Sequence, residues 1–196
     1  MSHPTCLIAS DLHGSAYYTE RLVDAFHRER ADRLLLLGDI LYHGPRNDLP
    51  MGYAPKRVIE MLNPLAEKIT CVRGNCDAEV DQMVLDFPLM ADSELVWVGD
   101  VKLLLTHGHV YNGDNPPPIA PGDVLLCGHT HVPQCQHHPR GYWVLNPGSV
   151  SIPKEGSPHG YMTLEDGTFY WKTLEGRVWQ DAPLCEESKT TVRQIF

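Results

Sequence analysis

Eleven histidines stand in this chain of 196 residues, and five of them fall in three short clusters beside glycine: His13-Gly14, His107-Gly108-His109 and Gly128-His129-Thr130-His131. Aspartate and asparagine accompany them in Asp11-Leu12-His13, Gly38-Asp39 and Gly74-Asn75-Cys76-Asp77. Carboxylate, amide and imidazole groups are oxygen and nitrogen donors suited to divalent ions. The neighbouring glycines allow sharp turns and a close approach of backbone to a bound group. Taken singly, each cluster also has an ordinary structural reading. Asp11 could cap a helix starting near Ser15, Gly38-Asp39 could be a plain turn, and Asn75 could be a left-handed turn residue. His107 could be a hydrogen-bonded structural residue. On an extended segment His129 and His131 would share one face.

Their common place in the chain decides between these readings. Each cluster follows a short apolar run that reads as a buried strand. Thr5 to Ser10 precedes Asp11, Leu34 to Leu37 precedes Gly38-Asp39, and Ile69 to Val72 precedes Arg73-Gly74-Asn75. Lys102 to Thr106 precedes His107, and Val124 to Cys127 precedes Gly128-His129. In open α/β sheets, ligands bind at the carboxyl ends of the strands. Tyr18, Leu22, Ala25 and Phe26 recur at helical spacing and predict an amphipathic helix over about 15–30. Pro55 suits the first turn of a helix carrying Val58, Ile59, Leu62 and Leu65, with Pro64 near its end. The first half is therefore β-α-β-α-β.

The second half is strand-rich. Glu94 to Val98 should pair with Lys102 to Thr106 through a Gly99-Asp100 turn. Further strands are expected at Gln134–His137, Trp143–Leu145, Tyr161–Leu164 and Phe169–Thr173, the last two joined by Asp166-Gly167. Pro116 to Pro118 reads as a stiff surface spacer, the tail from Pro183 is polar and carries no assignment, and the aromatic side chains are expected in the core. With no repeat and no linker, a single domain over 1–196 is expected.

Composition bounds the function. Hydrophobic content of 42% and charged content of 21% fit a globular fold. No apolar run approaches the ~20 residues of a membrane span, and the N-terminus shows no basic segment followed by a long apolar one. A cytoplasmic location is expected. The net charge of −9, with no lysine or arginine stripe, argues against duplex nucleic acid and anionic lipid as partners. Six cysteines lack C-x-x-C spacing. Cys6, Cys71 and Cys127 lie in strand-like runs, where a free thiol packs as a small hydrophobe.

The succession D-x-H, G-D, G-N-x-[DE], H-x-H and G-H-x-H resembles the calcineurin-like metallophosphoesterase superfamily. The likeness extends to its YfcE-type bacterial phosphodiesterases through Gly38-Asp39-Ile40-Leu41 with His43-Gly44-Pro45-Arg46-Asn47, Arg73-Gly74-Asn75-Cys76-Asp77, and Asn146-Pro147-Gly148-Ser149-Val150-Ser151-Ile152-Pro153-Lys154. It covers most of residues 5–175. The resemblance implies an α/β four-layer αββα sandwich with two divalent metal ions at one edge. Asp11, His13 and His131 would hold one ion, Asn75, His107 and His129 the other, and Asp39 would bridge them. It further implies hydrolysis of a small-molecule phosphodiester, with Mn²⁺ the expected metal, although this donor set also suits Fe, Ni, Co or Zn. Two divalent ions less two aspartate charges leave +2, or +1 with a bridging hydroxide, a sign that attracts a phosphate ester.

The chain departs from much of the superfamily at Cys76, where many members have a histidine thought to protonate the leaving group; the YfcE-type branch shares the cysteine. A thiol is a poorer proton donor than imidazolium, so esters whose alcohol leaves unaided should be preferred. Catalytic roles are expected for Asp39, Asn75, Cys76 and His109, and substrate contacts for Arg46, Asn75 and His109. Asp77 is expected to orient a ligand histidine. The Asn146-Pro147-Gly148-Ser149 turn could cradle an anion with its N–H groups, and the loop from His43 to Ala54 is long enough to serve binding or an interface. A homo-oligomer is compatible with these loops. Two alternatives remain: a phosphomonoesterase of the same fold, and a weakly catalytic protein-binding scaffold like the retromer small subunit. Scaffolds of that kind lose part of the ligand set, whereas all seven positions are kept here.

Overall fold

The computed structural model describes residues 4–183. In chain order they form β1 (Cys6–Ala9), α1 (Ala16–Arg28), β2 (Arg33–Leu36), α2 (Pro55–Leu62), β3 (Ile69–Cys71), a short α3 (Glu79–Gln82), β4 (Ser93–Val98) and β5 (Val101–Thr106). Then come β6 (Val124–Leu126), β7 (Gln134–His137), β8 (Trp143–Asn146), β9 (Gly160–Glu165), β10 (Thr168–Thr173) and β11 (Val178–Pro183). Two mixed sheets result, one in the order β11-β10-β9-β1-β2-β3 and the other in the order β4-β5-β6-β8-β7. Strands β1, β2 and β3 run parallel to one another, as do β5, β6 and β8.

The alternation of side chains across each strand builds the layers. Leu7, Ala9, Leu34 and Leu36 face one way and pack under α1 and α2 against Leu22, Phe26, Val58 and Leu62. Cys6, Ile8, Leu35 and Leu37 face the other way, into the core between the sheets, where they meet Leu103, Leu105, Val124, Leu126 and Trp171. Trp171 donates its indole N–H to the Asn146 carbonyl oxygen at 2.8 Å, so the one polar atom of this large side chain is satisfied. On the outer face of the second sheet, Leu104, Leu125, Tyr142 and Val144 are covered by Ile119. The described helices all precede β4, so the outermost layer there is a loop rather than a helix. Pro117 is buried in that loop, and the proline run is thus partly a cover and not the surface spacer its sequence implies.

Several local features have direct causes. Ser15, not Asp11, caps α1: its hydroxyl accepts from the Tyr18 N–H at 3.2 Å. Helix α2 ends at Leu62 and tightens into a 3₁₀ turn over Asn63–Lys68, because Pro64 has no N–H to continue the ladder. Strand β11 and the short α3 carry too few apolar residues for their periodicity to predict them. The remainder of the polar tail, 184–196, lies outside the described residues. Trp97, on the edge strand β4, is 61% exposed, and Tyr17, Tyr42 and Trp179 are also exposed, so the aromatic residues are not all core. An edge strand packed on one face only leaves its alternate side chains in solvent.

Candidate metal centre

The carboxyl ends of β1, β2, β3, β5 and β6 converge on one edge of the sandwich, each followed by one of the polar clusters. The backbone there is held in left-handed conformations that only a surrounding structure can enforce. Asp11, His13, Asp39, His129 and His131 have φ of 59°, 47°, 57°, 67° and 62°. Hydrogen bonds between loops lock this geometry. The N–H groups of Asp11, His13 and Gly14 donate to the carbonyls of Gly38, Asp39 and Ile40, at 3.1, 2.9 and 2.8 Å. Gly128 N–H donates to the His107 carbonyl at 2.8 Å. A Cβ at Gly128 would overlap Ser10 Oγ, and one at Gly74 would overlap Asp39 Oδ1. Glycine is required at both positions for close approach.

Two side-chain groups meet at Asp39. Asp11, His13 and His131 form one, with His131 Nε2 and His13 Nε2 at 3.3 and 3.6 Å from Asp11 Oδ1 and 3.2 Å from each other. In the other, His107 Nε2 stands 3.1 Å from Asn75 Oδ1, and the His129 ring lies 5.1 Å from that of His107, centroid to centroid. Asp39 Oδ1 accepts the Cys76 N–H at 2.8 Å, which leaves Oδ2 between the two groups, 3.7 Å from His13 Nε2 and 3.5 Å from His107 Nε2. His129 and His131 do not share a face. Both sit in a left-handed loop, so their rings diverge to opposite groups.

The imidazoles are oriented by main-chain oxygens. Nδ1 of His13, His107 and His131 lies 2.9, 2.6 and 2.7 Å from the carbonyls of Tyr42, Leu37 and Ile152. An Nδ1–H donated to each carbonyl leaves the Nε2 lone pair facing the carboxylates. Asp77 takes a different part from the one expected of it. It touches no histidine, and instead accepts the N–H groups of Asp39 and Gly74 on Oδ2, at 2.8 and 2.7 Å, and that of Ile40 on Oδ1 at 2.8 Å. It ties the loops after β2 and β3 together. The Asn146 turn also differs from expectation. Gly148 N–H donates to Asn146 Oδ1, Ile152 N–H to Ser149 Oγ, and Val150 N–H to the Ser10 carbonyl, so these donors do not face an anion. Ser149 and Ser151 hydroxyls both donate to the Asp11 carbonyl, at 2.9 and 3.0 Å, and brace the first loop.

Asp11 supplies a direct test of whether a cation fits. Its Oδ2 accepts the His129 N–H at 3.1 Å, while Oδ1 is buried with no hydrogen-bond partner. An orphaned carboxylate oxygen beside two imidazole lone pairs is costly unless a cation fills the space. The donor set fits divalent ions. Electrostatics agree. Burial works against the charged forms, but the nearby His13 and His131 rings hold Asp11 below the usual carboxylate range. Asp39 is likewise held low, against its burial, by His107. Against the same cost of burial, Asp39 and Asp11 push His107 up to about 9 and raise His13. A field that draws protons onto these rings also favours divalent cations.

The remaining expected residues line the rim. Arg46 is exposed and shares a cavity with His13, Asp39, Asn75, Cys76 and His131. Lys154 lines the same cavity, a second cation that sequence reasoning passed over because a surface lysine in a loop carries no signal of its own. Cys76 is half-buried, and burial together with the Asp39 charge pushes its thiol up to about 12. It is a neutral thiol at ordinary pH. His109 is exposed at the rim, its ring 5.3 Å from that of His107, and partial desolvation with the His107 charge lowers its basicity.

Comparison with known proteins shows the family and the fold. The family model described as the calcineurin-like phosphoesterase superfamily domain matches residues 5–167. Phosphodiesterase YfcE of Escherichia coli is 50% identical over 161 residues, covering 82% of this chain and 86% of that protein. The solved structure of YfcE, described as a phosphoesterase from E. coli, superposes with a TM-score of 0.88 at 44% identity, covering 92% of this chain and 99% of that one. Vps29 of Entamoeba histolytica, solved with Zn²⁺, shares the fold at a TM-score of 0.61 and 21% identity, over 92% of this chain and 99% of that one. By sequence, by fold and by the grouping of its donor side chains, this chain belongs to the calcineurin-like phosphoesterase superfamily.

Proposed function

We propose that the protein is a metal-dependent phosphodiesterase, hydrolysing a small-molecule phosphodiester at a dinuclear centre with Mn²⁺ as the working metal. The observation that carries this reading is Asp39. One of its carboxylate oxygens stands between two donor groups, each with a buried histidine aimed at it. Asp11, His13 and His131 would hold one ion, Asn75, His107 and His129 the other, with Asp39 shared. Two divalent ions in such a site lower the pKa of a bound water and clamp the attacking and leaving oxygens of an in-line displacement.

The protein's own groups do the rest. Arg46 and Lys154 would draw the phosphate anion toward the cavity, and Asn75 would contact a phosphate oxygen beside its ion. Cys76, a neutral thiol, is a weak proton donor to a leaving alcohol, which supports a preference for activated diesters over monoesters. His109 stands beside the centre, its basicity lowered, where its ring would contact substrate. The described cysteines are free thiols, in keeping with a reducing, cytoplasmic setting, and no described helix is long and apolar enough to cross a membrane.

The test is a chelator-stripped preparation assayed with an aryl phosphodiester and the matching monoester, with and without Mn²⁺. Metal-restored cleavage favouring the diester is expected. A folded protein that cleaves neither with any divalent ion would point instead to a binding scaffold.

A further inference from the structure

Two hollows meet at His129 and Thr130. The first, of about 500 Å³, contains the histidine–aspartate groups together with Arg46 and Lys154. The second, of about 450 Å³, lies beside it over the outer face of the second sheet and shares His129 and Thr130 with the first. Its walls come from the loop at 108–114, from β7 and β8 and from the turn between them, through Asn112, Gly113, Gln134, Gln136, His138 and Val144. Among the described residues no lysine or arginine lines it, and Asp114 does.

This contrast in charge is the basis of the inference. Cationic side chains flank the phosphate-sized centre, whereas the neighbouring hollow has no lysine or arginine to balance a second anion, only His109, His129 and His138 beside Asp114. It offers amides instead. Gln134 Nε2 donates to Gln136 Oε1 at 2.9 Å, which uses one donor of the first and the acceptor of the second. The Gln134 carbonyl and the Gln136 amino group remain for a ligand. Val144 adds a small apolar floor beside Gly113, for a Cβ at Gly113 would rest 3.5 Å from the Val144 methyls. Walls rich in amides over a small apolar floor favour a neutral, hydrogen-bonding ligand.

We propose that this second hollow is the subsite for one ester alcohol of the phosphodiester, and that it selects a neutral, hydroxyl-rich alcohol of the nucleoside or sugar class. The inference rests on the diesterase reading above. It predicts a substrate with a single phosphodiester and no further negative charge on that side.

The test compares two diesters with the same nitrophenol leaving group: thymidine 5′-(4-nitrophenyl) phosphate and ethyl 4-nitrophenyl phosphate. The Mn²⁺-loaded enzyme should favour the thymidine ester in kcat/KM by about tenfold, the worth of one or two hydrogen bonds and some apolar contact. Gln136→Ala, at an exposed position, should reduce that ratio severalfold, and Gly113→Leu, which fills the floor, should reduce it toward one. Both variants should leave the ethyl ester within about twofold of wild type and should melt as wild type does. A wild-type ratio near one, or a ratio that both variants leave unchanged, overturns the subsite. Hydrolysis of neither diester removes the diesterase reading, and the subsite with it.

Discussion

A single methyl group at position 74 should disable the centre without removing any donor atom. Gly74 does not have a left-handed backbone, so alanine there carries no conformational strain; its cost is contact alone. The added Cβ overlaps Asp39 Oδ1 and the Asp39 nitrogen and stands 2.8 Å from Asp39 Cγ, against an ordinary carbon–carbon separation of about 3.5–4.0 Å. Neither segment can yield easily, because Gly74 N–H and Asp39 N–H both donate to the same oxygen of Asp77, at 2.7 and 2.8 Å. Relief therefore requires a shift of about 1 Å in the shared carboxylate. Overpacking of this kind costs about 1–3 kcal/mol, a drop in Tm of about 2–12 °C in a domain of this size. A displacement of 1 Å at a reacting centre costs about 10²-fold in rate. The control is Gly122→Ala, where φ is +87° and no atom lies within 4 Å of the added Cβ. That change should cost about 1–2 kcal/mol in strain and nothing in activity. The assay is kcat on an activated aryl diester at saturating Mn²⁺, with metal content measured by elemental analysis and Tm by calorimetry. A Gly74→Ala variant with wild-type rate and metal content would refute the reasoning, as would a Gly122→Ala variant equally impaired in rate.

Cys76→His should raise kcat on a diester with a poor leaving alcohol by about tenfold or more, general acid catalysis being worth ~10²–10⁴, while metal content stays unchanged; equal rates for variant and wild type on that substrate would count against a proton-donor position. Asp77→Asn turns an amide toward the N–H groups that the carboxylate accepts, and should weaken Mn²⁺ binding by about 10–100-fold, read by calorimetric titration; unaltered affinity would show that the tie between loops is dispensable. Lys172→Met should leave the diesterase rate unaltered but lower stability by about 3 kcal/mol, because the buried ammonium lies 2.8 Å from Glu29 and 2.7 Å from Glu165. Burial opposes both charges, but the pairing holds Glu165 low and Lys172 high. The stability gap between wild type and variant should therefore be full at neutral pH. It should narrow as pH falls through the lowered Glu165 pKa, and again as pH rises through the raised Lys172 pKa. A gap independent of pH in urea unfolding would contradict the pairing.

The donor clusters were legible in the sequence because metal and phosphate chemistry draws on few side-chain types, and here each cluster follows an apolar run that ends at glycine or another turn residue. The strand periodicity that places Cys6 and Ile8 on one face and Leu7 and Ala9 on the other is likewise written in the residues. Grouping was not. His131 joins His13 across 118 positions, and His129, two residues away, turns to His107, because left-handed φ values of 67° and 62° break the alternation that an extended segment would keep. The carbonyls of Tyr42, Leu37 and Ile152 that aim the imidazoles have no signature, since every residue type carries the same oxygen. Asp77 reads as a ligand's partner and proves to grip backbone, and the Gly148 and Ile152 N–H groups are taken up by the side chains of Asn146 and Ser149. Side-chain chemistry and its period are local and belong to the sequence. Which backbone groups remain free, and which distant loops meet, depends on how two sheets stack, and only the tertiary structure decides it.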